Sequence, residues 1–289
     1  EVFVRHPQTI AVEGMPIISR KTYGNGLVEA VRVGRFRVQL NTMVYFYRLG
    51  RTLIDAGSPN QAACVADYAR QHRIQRLLCT HHHEDHAGNG ALLQRNGVQV
   101  SAPAASQAYL RDGYPQEWYR RIIWGKAQPF TPDHTLEEVT EVPEIGARLR
   151  LIQTPGHSPD HSCFLEEERG WLFGSDIFVT RSPKLMRFDE DPNEAIKSFE
   201  RVLQYEFDTL FCAHRGVLQN GKQPIRERLE HMLSIRQQVE GCREAGMSLH
   251  ETRDHILGKE GWFARFTQND FSKLNLIRGF YDRPSQPCC

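Results

Sequence analysis

The chain contains THHHEDHAGN at residues 80–89, directly after an apolar run at residues 74–79. Histidines and carboxylates crowd residues 81–86, and both are ligands that suit zinc, iron or manganese. Such a group of side chains can be buried only if positive charge lies among them. The stretch therefore predicts a metal site, and the alternative is a solvated polar loop with a chance run of histidines.

The length and the charge balance restrict the class of protein. A chain of 289 residues can form one large domain, or one domain with an appendage. Lys and Arg total 36 against 35 for Asp and Glu, which gives a formal net charge of +1. Because this balance provides no attraction to nucleic acid or to an anionic membrane, we expect neither as a partner. No apolar run approaches the roughly 20 residues that cross a bilayer.

The cysteines indicate a reducing compartment. The seven cysteines are scattered, none forms a Cys-x-x-Cys pair, and a chain of this size needs no disulfide scaffold. Residues 1–6 lack the charged-then-apolar layout of a signal peptide. We therefore expect a cytoplasmic protein in which Cys288 and Cys289 belong to a terminal tail.

Hydrophobic periodicity predicts an alternation of strands and helices. Strands are predicted at residues 27–33, 41–49, 52–57, 74–79, 98–102, 148–153, 162–165, 171–173 and 209–213. Helices are predicted at residues 58–72, 87–95, 105–110, 118–124 and 192–205. Residues 23–25 form either a substrate loop or a simple turn, and the acidic segment 129–143 is predicted to be irregular.

The pattern changes to helical spacing alone beyond Gly221. Ser248 and Glu251 form a capping box that opens one of these helices. We therefore expect a helical region at residues 221–289 that packs on an α/β body formed by residues 1–220.

Several predicted strands end in a residue type that binds metals. Beyond the histidine-rich stretch, these residues are His157, Asp176 and His214. Each alone is more typical of a surface or core histidine, or of an Asp that caps a turn. Because strand ends from distant parts of a chain meet at one edge of a sheet, their joint occurrence predicts a single site.

These motifs resemble those of the metallo-β-lactamase superfamily. The resemblance rests on H-x-H-x-D-H at residues 81–86, on His157 in TPGHS, on Asp176 in FGSD and on His214 in AHRG. Asp55 in LIDAG is similar to a further family motif, in which the Asp lies behind the metal site. The order of the motifs resembles the hydrolase branch that includes glyoxalase II and lactamase-beta-like proteins.

The resemblance implies a four-layer αββα sandwich with a binuclear metal centre. By this resemblance one metal is held by His81, His83 and His157, the other by Asp85, His86 and His214, and Asp176 bridges them. The two divalent ions are expected to be zinc, with iron or manganese as alternatives. Asp85 is also the candidate general base. His82 and Glu84 are expected to point away from the metals, and His161 either supports a ligand, contacts substrate or is solvated.

The resemblance leaves the substrate open, because one fold serves many reactions. We expect a metal-bridging hydroxide to cleave a small-molecule ester, thioester or lactone. Residues 177–184 replace the basic, Gly- and Cys-containing stretch of glyoxalase II, which argues against glutathione thioesters. Alternatives are an iron-dependent oxidoreductase that resembles sulfur dioxygenases, a phosphodiesterase, and a non-enzymatic binding protein. A homodimer is left open.

The substrate pocket is expected to be lined by residues 103–143 and by the C-terminal helices. Five aromatic residues of these segments are assigned to core packing rather than to pocket walls: Trp118, Tyr119, Trp124, Trp262 and Phe263.

Overall fold

The computed structural model describes residues 17–35 and 42–282, and within them the chain forms two sheets. The first sheet contains, in spatial order, β1 (Ser19–Tyr23), β2 (Val28–Gly34), β3 (Met43–Leu49), β4 (Thr52–Ile54), β5 (Arg76–Leu78), β6 (Gln99–Ala102) and β7 (His134–Thr135). Strands β1 to β4 are antiparallel, and β4 to β7 are parallel. The carboxyl ends of the parallel strands therefore lie at one edge, where residues 79–89 follow β5.

The second sheet has six strands and is mostly antiparallel. Its spatial order is β13 (Gly216–Leu218), β12 (Thr209–Cys212), β11 (Trp171–Ser175), β10 (Ser162–Glu166), β9 (Ala147–Gln153) and β8 (Val139–Val142). The predicted hairpin is present, since β10 pairs with β11 in antiparallel register. Strands β11 and β12 are parallel, so the residues that follow them also lie at a common edge.

Helices cover the outer faces of both sheets. Their bounds are α1 (Ala62–Gln71), α2 (Gly90–Arg95), α3 (Gln107–Asp112), α4 (Trp118–Ile123), α5 (Pro192–Leu203), α6 (Lys222–Glu244), α7 (Leu249–Leu257), α8 (Trp262–Phe266) and α9 (Lys273–Tyr281). The predicted capping box is confirmed, because the Ser248 side chain and the Glu251 side chain each bond the other's backbone amide. None of the helices in the described ranges is long and apolar enough to cross a bilayer.

Three hydrophobic clusters show that the molecule has four layers. Phe164, Phe173 and Phe211 of the second sheet meet Tyr47 and Leu49 of the first sheet between the two sheets. A separate cluster joins the outer face of the first sheet to α1 and α2. A third joins the outer face of the second sheet to α5, α6 and α9. The layers are thus helix, sheet, sheet and helix, and the predicted αββα sandwich is confirmed.

The C-terminal helices share a core with the second sheet. Met232 of α6 and Ile277 of α9 are fully buried in the cluster that also contains Leu172 and Leu210. This packing is hydrophobic, which is the dominant favourable term in such association. The boundary between the two predicted domains, at residue 220, stays a prediction.

The structure corrects the segment that was predicted to be irregular, residues 129–143. It contains β7 and β8, which lie at the edges of the two sheets. Both strands are short, and β8 is half-buried with polar Thr140 and Glu141, so neither shows the apolar alternation on which the prediction relied. Strand β1 was missed for the same reason, because its central residues are exposed and polar. Residues 24–27 form the hairpin turn from β1 to β2.

Buried Glu29 of β2 ties the edge of the first sheet to α1. Its carboxylate accepts hydrogen bonds from Arg20 Nε at 2.5 Å, from Tyr68 Oη at 2.7 Å and from Arg48 Nε at 3.0 Å. Burial disfavours the charged carboxylate, but the hydrogen bonds from these three side chains outweigh it and lower the pKa of Glu29 to about 2.

We predict that Glu29→Gln lowers the free energy of unfolding by about 2 kcal/mol at pH 7, since it weakens hydrogen bonds that involve a charged group. A carboxyl group with a depressed pKa stabilises the fold above its unfolded pKa near 4.5, and this contribution is lost as the pH falls towards 2. Urea unfolding of both proteins between pH 7 and pH 3 should show the difference shrinking. A pH-independent difference, or an equal loss in Glu200→Gln, a control at an exposed position of α5, would contradict the assignment.

Candidate metal centre

Four chain segments that follow strands bring the predicted ligands together. Residues 79–89 follow β5, residues 154–161 connect β9 to β10, Asp176 follows β11, and His214 follows β12. Six of the seven candidate ligands are buried, and His157 is partly exposed. The structure therefore places all seven predicted side chains in one region, and their role as metal ligands remains a prediction.

The first group of candidate ligands is formed by His81, His83 and His157. His83 Nδ1 lies 3.0 Å from His81 Nε2 and 3.0 Å from His157 Nε2. A tetrahedral ion with metal–nitrogen bonds of about 2.0–2.1 Å has neighbouring ligand atoms about 3.3 Å apart. The three nitrogen atoms are thus arranged much as ligands around one ion.

The second group is formed by Asp85, His86 and His214. Asp85 Oδ2 lies 3.7 Å from both His86 Nε2 and His214 Nε2. Asp176 lies between the two groups, because its Oδ2 is 3.2 Å from His157 Nε2 and its Oδ1 is 3.4 Å from His214 Nε2. The two groups therefore form one continuous cluster with a shared carboxylate.

Asp55 supports the second group through the ring nitrogen of His86 that is not the candidate ligand atom. Its Oδ2 accepts from His86 Nδ1 at 2.8 Å, and its Oδ1 accepts from the Thr80 amide at 2.9 Å. Asp55 and Ser175, whose hydroxyl donates to Asp55, both have a left-handed backbone, with φ of 60° and 47°. This conformation costs about 1–3 kcal/mol per residue and is typical of functional sites. Asp55 thus orients His86 so that Nε2 faces Asp176.

Hydrogen bonds to the outer ring nitrogens fix the other imidazoles. His157 Nδ1 donates to Glu190 Oε1 at 2.9 Å, and His214 Nδ1 donates to the Met43 carbonyl at 3.0 Å. A proton on Nδ1 leaves the Nε2 lone pair free for an ion. His161 Nε2 accepts from the Asp176 amide at 3.2 Å, so His161 supports a candidate ligand instead of being solvated.

The two other members of the histidine-rich stretch face away from the cluster. His82 Nδ1 donates to Asp160 at 2.8 Å, and its ring stacks on Tyr109. Glu84 forms a buried bidentate ion pair with Arg120 of α4, at 2.6 and 2.8 Å. Both residues attach the stretch to neighbouring segments, as expected. The Arg120 partner lies 36 residues away, so spacing gave no signal for this ion pair.

The electrostatics of the cluster fit a bound cation. Burial lowers the pKa of His81 and of His83 well below the usual range, so these imidazoles are neutral. Burial opposes ionisation of Asp176, but the nearby imidazoles outweigh it and hold its pKa well below the usual range. Buried His86 Nε2 and Asp176 Oδ1 have no hydrogen-bond partner among the described residues. Since orphaned buried polar atoms are costly, an ion that binds both would stabilise the cluster.

A cavity of about 400 Å³ adjoins the histidine-rich stretch, because His82 and Ala87 line it. The rest of its lining consists of residues 109, 110, 112–116, 121 and 126–130, and none of the seven candidate ligands lines it. Two aromatic residues that were assigned to core packing are instead exposed, Trp118 by 41% and Trp262 by 75%. Tyr119 and Trp124 are buried as predicted, and Phe263 is partly buried.

The comparisons with known proteins place the chain in a family. Residues 36–214 match the family model described as "Metallo-beta-lactamase superfamily". The matched residues include the whole cluster described above, and they make up more than half of the chain. The chain belongs to the metallo-beta-lactamase superfamily, and the predicted resemblance is confirmed.

Individual relatives carry the names of hydrolases. The chain is 28% identical over 214 residues to an atrochrysone carboxyl ACP thioesterase of Passalora fulva, a match that covers 71% of this chain and 57% of that protein. It is 26% identical over 196 residues to a hydroxyacylglutathione hydrolase of Nitrosomonas europaea, covering 65% of this chain and 66% of that protein. The chain thus spans little more than half the length of the first relative.

A solved structure supports the fold. A beta-lactamase domain protein of Burkholderia ambifaria is similar with a TM-score of 0.65 and 18% identity, and the match covers 92% of this chain and 91% of that chain. The match extends beyond the residues of the family model, so the similarity in fold includes much of the C-terminal region.

We predict that zinc stabilises the fold, because an ion that binds only the folded chain shifts unfolding by mass action. At a hundredfold excess of free zinc over its dissociation constant, the free energy of unfolding should rise by about 2.7 kcal/mol per site. Thermal unfolding of protein treated with a chelator and then supplied with zinc measures this shift. Identical unfolding curves in chelator and in zinc would contradict a metal site at the cluster.

Proposed function

We propose that the chain is a metal-dependent hydrolase that acts on a thioester or ester of a small molecule through a binuclear centre. The observation that carries the proposal is the pair of ligand groups that share Asp176, whose two oxygens face different imidazoles. Because a catalytic metal site keeps open positions, seven protein ligands for two ions are appropriate for chemistry rather than for a closed structural site.

The residues of each group would hold one ion. His81, His83 and His157 would hold the first, and Asp85, His86 and His214 would hold the second, with Asp176 shared. When bound, two such ions supply hydroxide near neutral pH and stabilise the negative charge that develops on a carbonyl oxygen. Zinc suits the mixed nitrogen and oxygen donor set, and iron or manganese would suit it as well.

Asp85 is the proposed general base. It is buried, its Oδ2 faces both histidines of the second group, and burial raises the pKa of its carboxyl group. A carboxylate that binds an ion through one oxygen can accept a proton through the other. Asp85 would therefore hold the proton that is released when water attacks the substrate.

The choice of a thioester or ester is supported by the names of the relatives. One is named as a thioesterase for an acyl group on a carrier protein, and another as a hydrolase of an acylated glutathione. A lactone, which is a cyclic ester, fits the same chemistry. The departure at residues 177–184 argues against glutathione as the thiol, so we propose another small-molecule thiol or alcohol as the leaving group.

The alternatives have less support. An iron-dependent oxidoreductase that resembles sulfur dioxygenases would need only the first group, whereas the second group is equally complete. A phosphodiesterase would use the same centre, and no feature of the described residues favours it over an acyl hydrolase. A non-enzymatic binding protein would not require the complete set of ligand types. The cytoplasmic location and a homodimer stay predictions.

A hydrolysis screen tests the proposal. Thioesters, carboxylic esters, lactones and phosphodiesters would be tested with one preparation in which the metal content is also measured. We expect turnover of acyl substrates that requires bound metal. Turnover of phosphodiesters alone, or of none of these classes by metal-loaded protein, would reject the acyl assignment.

We predict that His83→Ala abolishes hydrolysis and reduces the metal content from two ions to one, because only the first group loses a nitrogen ligand. The fold should survive, since the three hydrophobic clusters do not include His83. Elemental analysis and circular dichroism measure these outcomes. The matched control His250→Ala removes an exposed histidine of α7 and should retain both ions. Unchanged turnover in His83→Ala would refute the site.

We also predict that Asp85→Asn lowers kcat by about 10²- to 10⁴-fold, the range typical for loss of a general base. The amide oxygen can still bind a metal, so a preparation with restored metal content separates proton transfer from metal loss. The measurement is kcat at saturating substrate with metal quantified in the same sample. A metal-loaded Asp85→Asn variant with full activity would exclude Asp85 as the base.

A further inference from the structure

A buried arginine contacts the outer side of the first ligand group. Arg187 is 6% exposed, and its Nη1 lies 3.2 Å from His83 Nε2, on the side of the ring opposite to Nδ1. Arg187 also has its backbone amide bonded to Glu190, whose other oxygen accepts from His157. The short segment 186–190 therefore contacts two of the three histidines in the first group.

The contact between Arg187 and His83 opposes metal binding. A guanidinium group is always a donor, so it bonds His83 Nε2 only when the ring proton is on Nδ1. Nδ1 is the atom that faces His81 and His157, and it can bind an ion only without that proton. An uncompensated cation beside the centre also repels a divalent ion. Metal binding at the first group therefore requires nearby groups that neutralise the charge of Arg187.

Two carboxylates form ion pairs with the Arg187 guanidinium. Asp189 Oδ2 lies 3.0 Å from Arg187 Nη2, and Asp270 Oδ2 lies 3.4 Å from Arg187 Nε. Asp189 is partly exposed, whereas Asp270 is almost fully buried, so solvent screens the second carboxylate less. Asp270 also accepts a hydrogen bond from the Tyr119 hydroxyl of α4, which fixes the carboxylate in place.

Asp270 belongs to the C-terminal region, and the neighbouring backbone is joined to the Arg187 segment. The Met186 amide donates to the Ser272 carbonyl at 3.1 Å, and the Ser272 amide donates back to the Met186 carbonyl at 3.0 Å. Both residues are buried. The connection between α8 and α9 is thus held directly against the segment that reaches His83.

We propose that Asp270 is a positioning residue for the first metal, because it neutralises the Arg187 guanidinium that lies against His83 and so reduces the repulsion between Arg187 and the ion. The C-terminal helical region would thereby support the metal centre through the carboxylate of Asp270. This inference rests on the proposed metal centre but not on the identity of the substrate.

The test is a zinc competition titration against a chromophoric chelator. Asp270→Asn should weaken zinc binding at the first site by about 10- to 100-fold, the range typical for loss of a residue that supports a ligand. The double variant Asp270→Asn with Arg187→Met should regain near wild-type affinity, because the competing cation is gone. Circular dichroism in chelator verifies that each variant is folded.

The matched control is Asp254→Asn, which removes a carboxylate of α7 that pairs with Arg253 away from the centre. It should bind zinc as the wild type does. Wild-type zinc affinity in Asp270→Asn would overturn the proposal. A double variant that binds as weakly as Asp270→Asn would also overturn it, because the effect would then be structural. Normal zinc titrations without hydrolysis of any acyl substrate would count against the proposed function alone.

Discussion

Burying several imidazole and carboxylate groups side by side is energetically unfavourable unless each is hydrogen-bonded or bound to a cation. Imidazoles and carboxylates converge in a volume in which neighbouring ligand atoms lie 3.0 to 3.7 Å apart. Without a cation, only the nearby imidazoles offset the buried charge of Asp176, and His86 Nε2 and Asp176 Oδ1 have no hydrogen-bond partner among the described residues. Hydrogen bonds to the outer ring nitrogens of His86, His157 and His214 reduce the free-energy cost of burying these rings. The candidate ligand atoms still face one another.

The two sheets meet this constraint by delivering short segments to one edge. Parallel pairing of β4 with β5 and of β11 with β12 places Asp55, the histidine-rich stretch, Asp176 and His214 at neighbouring strand ends. The left-handed backbone at Asp55 and Ser175 turns the chain sharply at two of these ends. The hydrophobic cluster between the two sheets stabilises the fold and offsets the free-energy cost of this backbone strain.

The site was more predictable than its surroundings. Each candidate ligand follows a predicted strand and belongs to a residue type with specific metal chemistry, so the sequence carries a local signal. Glu190, Arg187 and Asp270 carry no such signal, because they reach the centre through tertiary packing at no fixed spacing. The exposed position of Trp118 and Trp262 was missed for a related reason, since apolarity alone does not reveal which faces of short helices remain uncovered. Strands β7 and β8 form by pairing with β6 and β9, and their own sequences lack a clear alternation of apolar and polar residues.

We propose that two ions share Asp176, and a crystal structure recorded at the zinc absorption edge would locate them. For protein crystallised with zinc, we expect two anomalous peaks. One should lie among His81, His83 and His157, and the other among Asp85, His86 and His214, each within bonding distance of an Asp176 oxygen. A single peak, or peaks that lie away from Asp176, would contradict the binuclear centre.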